Sequence, residues 1–316
     1  MTTRLRPVFL HRLLVSFVVA IAVAAGSVRA AQVDLLVSSF GSDQVLRYDG
    51  QTGASLGVFS SGGGLNDPEG IAMGPDQHLY VVSHASNEVL RYNGQSGVFI
   101  DSFATGGSLS SPEVIAFGPD GNLYVSSYTS NSVLRYNGTT GAFIDVFASG
   151  GGLSGSTGLA FGPDGNLYVS SFSTDQVLRY NGTTGAFVDV FASGGGLNDP
   201  HGLTFGADGN LYVSGFSSDN VVRYNGTTGL FIDVFASGSG LDAPVGLGFG
   251  PDSNLYVCSF NTDSVLRYNG TTGLFVDTFV SGGGLNQPAY VTFLPEPSTL
   301  CLLALGGLAL GRRIRR

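Results

Sequence analysis

Glu69, His84, Glu113 and His201 are the residues of this chain best suited to chemistry, and they stand out by subtraction. The sequence repeats every 44 residues, so a residue shared by all copies is explained by the repeated fold. A site confined to one place must show where the copies differ. At one position the copies carry Glu69, Glu113, Thr157, His201, Val245 and Ala289; at another they carry Phe40, His84, Tyr128, Phe172, Phe216 and Phe260. Carboxylate and imidazole groups brought together can hold a divalent ion or pass a proton. No ligand motif of fixed spacing joins the four, and the competing expectation is ordinary variation at solvated loop ends. The one cofactor these residues suggest is a divalent cation, with calcium the candidate. A second place for calcium, the recurring turn Gly-Pro-Asp-Gly-Asn, lacks the alternating acidic ligands of a calcium loop.

The repeat also defines the elements that must position these groups. Its Arg-Tyr pair recurs, without insertion, as Arg47-Tyr48, Arg91-Tyr92, Arg135-Tyr136, Arg179-Tyr180, Arg223-Tyr224 and Arg267-Tyr268. The fourth copy holds four apolar runs: Leu159–Phe161, Leu167–Phe172, Val177–Tyr180 and Ala186–Phe191. They are too short for helices and rich in Val, Phe and Tyr, which favours strands. Gly-Pro-Asp-Gly-Asn turns the chain after the first run, and Asn181-Gly182 opens a hairpin loop after the third. Four strands joined by short turns make one antiparallel blade.

The two ends of the array complement each other. Val33–Phe40 matches the second strand of the unit, and Pro288–Phe293 matches a first strand. These matches predict an all-β fold over residues 32–294. It is a six-bladed β-propeller of four-stranded repeats, its C-terminal strand completing the first blade so that no long edge is exposed. Five fourth strands carry an Asp (Asp101, Asp145, Asp189, Asp233, Asp277) across the hairpin from the Arg, which predicts structural cross-strand pairs. The first blade has Gly57 there instead.

Charge excludes several partners. There is no Lys, and residues 32–294 hold six Arg against 22 of the 23 acidic residues, a balance of −16. Such a domain lacks the basic footprint needed for nucleic acid or for anionic lipid. Cys258 and Cys301 form no disulfide framework. The sequons at Asn137, Asn181, Asn225 and Asn269 are better explained as hairpin turns.

The flanks carry addresses. Residues 1–30 read as a secretory signal peptide: a basic start, an apolar core over Leu13–Ala25, and Val28-Arg29-Ala30 before the cleavage site. Residues 295–316 open on Pro295-Glu296-Pro297, continue through a short apolar segment and end on Arg312, Arg313, Arg315 and Arg316. This tail resembles the PEP-CTERM sorting signal of Gram-negative envelope proteins. The resemblance implies export across the inner membrane, an exosortase-type processing enzyme as partner, and delivery to the envelope, surface or extracellular matrix. Contact with the membrane is then expected only through the tail before processing.

The repeat itself resembles NHL-repeat propellers and, more loosely, the streptogramin lyase and gluconolactonase-like propellers. The likeness rests on Pro200-x-Gly202-Leu203, Asp208-Gly209-Asn210 and Tyr212-Val213. The chain departs from the pattern at Ser171 and Gln176, where Asp and Arg are common. The resemblance implies that first strands begin at the mouth of a central channel on the top face, which would gather Glu69, Glu113, His201 and His84 there. Relatives of the two enzyme types use a metal-binding Glu or a His–Glu pair, and only Glu69, Glu113 and His201 match by position. The expected function is therefore an exported binding or scaffold protein, with extracellular polysaccharide or a surface protein as partner. The alternative is a metal-assisted lyase or lactonase-type hydrolase with a top-face site.

Overall fold

Short apolar runs punctuated by Gly, Pro and Asn fold here into strands of five to seven residues. The computed structural model describes residues 33–294, which form six antiparallel sheets of four strands each. Blade four is representative, with strands Ser156–Phe161, Leu167–Ser171, Gln176–Tyr180 and Phe187–Ser193. Each first strand touches the first strands of both neighbouring blades, and the cycle closes around a central axis. The strand Pro288–Phe293 pairs with Leu35–Ser39, so blade one is built from both ends of the domain as expected.

Five strand ends of blade four differ from the apolar runs: the third strand begins one residue early at Gln176, the fourth runs Phe187–Ser193, and the other two differences have a visible cause. The first strand of blade four begins at Ser156, ahead of Leu159, because polar residues there are buried and satisfied. Ser156 Oγ, for example, donates to the carbonyls of Ser127 and Ser132 in the preceding blade. The second strand stops at Ser171, and Phe172 opens a 3₁₀ turn, Phe172–Thr174.

The core lies between blades. Every second strand is buried along its whole length, since neighbouring blades cover both of its faces. Tyr180 is fully buried, and its hydroxyl reaches back to the Gly150 carbonyl of the preceding blade at 2.8 Å. The Arg beside it is structural. Arg179 makes a two-pronged contact with Asp189, lies 5.0 Å from the centre of the Phe191 ring, and has Asp164 3.7 Å away. In blade one, where Gly57 replaces the Asp, Arg47 turns to Asp34 instead, with Nε 2.6 Å from Oδ2. In the four complete Gly-Pro-Asp-Gly-Asn or closely similar turns, the Asp is committed as well. Asp164 accepts from the backbone and side chain of Asn166 and from the Tyr168 hydroxyl, which leaves a poor calcium ligand.

One further contact joins all six blades. The residue before each third strand is Asp or Asn in the left-handed region, and its Oδ1 accepts the N–H of the residue preceding the next blade's first strand. Asp175 holds Asp199 in this way at 2.8 Å. Losing a charge-assisted bond and placing Ala at positive φ should make Asp175→Ala cost about 1–2 kcal/mol. Thermal melting should then fall by roughly 2–8 °C. An unchanged melt would show that the latch is ornamental.

Candidate functional site at the top of the propeller axis

The site begins with a bulge. In each blade the pairing of first and second strands slips, between Pro68 and Ile71, Pro112 and Ile115, or Pro200 and Leu203, for example. Such an irregularity releases residues from the ladder and re-aims a side chain. The released residues are the second and third of each first strand. The third is Gly70, Gly158, Gly202 and Gly246 in four blades, and a Cβ at any of these would collide with the next blade's backbone or side chains. Close approach of the inner strands therefore brings second residues from opposite blades within reach of one another.

Three of them meet. Glu69, Glu113 and His201, from blades two, three and five, place one ligand-capable atom each within 4.8 Å of the others. Blades two and five stand opposite each other in the ring, so the meeting point is the axis. These residues are not at solvated loop ends: Glu69 and Glu113 are 6% exposed and His201 is 8% exposed. Thr157, Val245 and Ala289, at the equivalent positions, are also buried and bring no charge.

Glu113 is the hub. Its Oε1 lies 3.3 Å from His84 Nδ1, and its Oε2 lies 3.6 Å from His201 Nε2. His84 shares a blade with Glu69 but engages the carboxylate of the next blade. His84 Nδ1 also faces the Pro112 carbonyl at 3.2 Å. Both neighbours of Nδ1 accept hydrogen bonds, so Nδ1 carries a proton and Nε2 is left for solvent or ligand. The His84 side chain is 27% exposed, the most accessible of the four. Burial works to lower its pKa, but the bond and charge of Glu113, with help from Pro112 and Asp67, outweigh it and raise it.

His201 and Glu69 are pushed the other way. Burial lowers the His201 pKa despite the opposing pull of Glu113, so the ring is neutral near pH 7. Burial first, then the negative charges of Glu113 and Asp67, raise the Glu69 carboxyl well above the usual carboxylate range. Its Oε2 is buried with no hydrogen-bond partner. A carboxyl whose folded pKa is raised costs stability as pH climbs above its ordinary value, because the unfolded chain ionises first. A cation at the axis would offset that cost.

Tyr290 is a member of the site that the copy-by-copy comparison at the second position does not reveal. It occupies the third position of the closing strand, where four copies have Gly and one has Val114. Its hydroxyl lies 3.3 Å from His201 Nδ1, and it is buried. The same subtraction applied one residue further along singles it out. Burial, followed by the nearby Glu69 and Glu113, keeps its phenol protonated well beyond the ordinary range.

Above this floor runs an aromatic collar. Phe40, His84, Tyr128, Phe172, Phe216 and Phe260 follow the six second strands, and all are partly buried. Neighbouring centroids are 5.7 Å apart for Phe40–Phe260, 5.9 Å for Tyr128–Phe172, 6.2 Å for Phe172–Phe216 and 6.3 Å for Phe216–Phe260 and Phe40–His84. The His201 ring packs beneath Phe172 and Phe216, and His84 belongs to the collar while holding Glu113 of the floor. The candidate residues Glu69, His84, Glu113 and His201 thus form one assembly. The sequence-predicted tail residues Pro295, Glu296, Pro297, Arg312, Arg313, Arg315 and Arg316, and the expected signal peptide, lie outside the described residues.

Comparison with known proteins agrees with this architecture. One chain of a nidogen/laminin complex superposes with a TM-score of 0.69 at 19% identity, covering 84% of this chain and 99% of that one. A gluconolactonase from Xanthomonas campestris gives 0.58 at 20% identity, covering 72% and 79%. Virginiamycin B lyase from Staphylococcus aureus gives 0.52 at 17% identity, covering 66% and 68%. At these identities the likeness is one of fold. No curated protein sequence matches the chain. The PEP-CTERM protein-sorting motif matches residues 294–316, which marks the chain for export, exosortase recognition and delivery to the surface or envelope. The Virginiamycin B lyase family matches residues 59–276, well over half of the chain, and the protein belongs to that family.

Proposed function

We propose that this protein is a surface-sorted binding protein whose working centre is the axial site, where Glu69, Glu113 and His201 hold one divalent cation. The observation that supports this most is the convergence of three buried ligand groups within 4.8 Å, one of which, Glu69, has an oxygen without a partner. The donor set fits a cation. Two carboxylates supply hard oxygens and His201 a nitrogen, which favours manganese or zinc over calcium, whose ligands are oxygens. If His201 Nδ1–H donates to the Tyr290 hydroxyl oxygen, the Nε2 lone pair is turned toward the carboxylates, the usual arrangement of a positioned imidazole ligand.

Titrating the purified protein with Mn²⁺, Zn²⁺, Mg²⁺ and Ca²⁺ tests the reading. One ion should bind per chain and displace a proton from Glu69, whose carboxyl titrates above the usual carboxylate range, so affinity should strengthen as pH rises. The Glu69→Ala/Glu113→Ala pair should abolish binding. Failure of the wild-type protein to bind any of the four ions, or unchanged binding by the double variant, would refute it.

His84 favours a second reading. A partly exposed imidazole held by a carboxylate beside a cation site is equipped to move a proton. Together with membership of a lyase family, this supports metal-assisted lyase or lactonase-type chemistry at the same place. Turnover of a cyclic ester by the metal-loaded protein would favour it over binding alone.

A further inference from the structure

The two faces of the propeller differ in charge. All six Arg lie one residue before the end of a third strand, toward the bottom, where five meet the Asp residues of the fourth strands and Arg47 meets Asp34. The loops and strand ends of the top face hold ten of the 22 acidic residues and no Arg or Lys. Bonds from Ser, Asn and backbone N–H groups reach several of these carboxylates, but no fixed cation does among the described residues.

The aromatic collar stands at the centre of this negative face. Five of the six neighbouring pairs have centroids 5.7–6.3 Å apart. Along the Tyr128–Phe172–Phe216–Phe260–Phe40–His84 arc a hexagon of that side puts each centroid about 6 Å from the centre, the outer limit at which a ring face attracts a cation. The four Phe rings offer no hydrogen bonds to the hydroxyls of a sugar. Beneath lies Glu69, more than nine-tenths buried, with Oε2 unpartnered. Negative field, π faces and an unmatched carboxyl call for the same complement. We propose that the collar is a binding site for a small organic cation, an alkylammonium whose methyl or methylene groups lie against Phe172, Phe216, Phe260 and Phe40 while its charge faces the axial carboxylates.

This goes beyond the divalent-ion reading and does not depend on it, so the test is run with chelator present. The probes are choline and its uncharged carbon isostere, 3,3-dimethylbutan-1-ol, titrated into the full protein by calorimetry. Choline should bind saturably at one site, at least about tenfold more tightly than the isostere. Phe172→Leu/Phe216→Leu keeps apolar bulk while removing two ring faces and should weaken choline about tenfold with the cooperative melt retained. Phe40→Leu/Phe260→Leu, on the opposite arc, provides the same comparison should the first pair fail to fold. Equal affinity for choline and the isostere, no saturable choline binding, or choline binding untouched by a folded collar variant would overturn the proposal. Choline binding without divalent-ion binding would sink the metal reading alone.

Discussion

A chain ended before Pro288 should lose its cooperative fold, whereas one ended after Leu294 should melt like the full-length protein. The reason is the first blade. Its strand Leu35–Ser39 is buried along its whole length and pairs with Pro288–Phe293 on one side. Removing the partner strips a ladder from that strand, exposes Leu35, Leu36 and Val37, and opens the ring of inner strands. It also removes the Ser38 bonds to Tyr290. The combined loss should exceed about 5 kcal/mol, the scale of a whole domain's net stability. Thermal melting followed by near-ultraviolet circular dichroism checks it. A truncated chain that still melts cooperatively within a few degrees of the full protein would contradict closure by this strand.

Replacing Glu113 by Ala should have the largest effect on the site itself. Glu113 is the one group in contact with both His84 and His201. Without it, divalent-ion affinity should fall at least about 100-fold, as expected when one of three protein ligands is lost. Two imidazoles should report the change independently of any metal. Glu113 raises the His84 pKa and opposes the lowering of the His201 pKa, so both should titrate at lower pH in the variant. Proton NMR of the imidazole C2–H signals reads this directly. Unshifted imidazoles would mean that Glu113 is not the hub.

Much of the fold was legible in the sequence because a propeller is periodic. A fixed spacing of 44 residues leaves only one place for each turn, and the match of Pro288–Phe293 to a first strand forces the closing pairing. Strand ends were less legible, since Ser156 and Thr157 are buried yet polar, satisfied by bonds that no apolar pattern records. The rescue of Arg47 by Asp34 was hidden for a similar reason: the compensating carboxylate sits just ahead of the strand Leu35–Ser39, not on the fourth strand that lost it.

The positions of Glu69, Glu113, His201 and His84 could be picked out where copies differ, but their relationship could not. That depends on how narrow the inner ring is, which follows from glycines packed against neighbouring backbones. The narrowness carries side chains from opposite blades to one point and buries them. It also sends His84 to Glu113 of the next blade and brings Tyr290 in from the closing strand. Sequence neighbours and site neighbours are thus different sets of residues in this fold.

A cation held at the axis would be directly visible by diffraction. Crystals grown with Mn²⁺ or Zn²⁺ and measured at the metal's absorption edge should show one anomalous peak bounded by Glu69, Glu113 and His201 Nε2. Glu69 Oε2 should be in contact with it. Crystals grown with saturating metal that show no peak at that point, or metal held only on the acidic surface, would contradict an axial cation site.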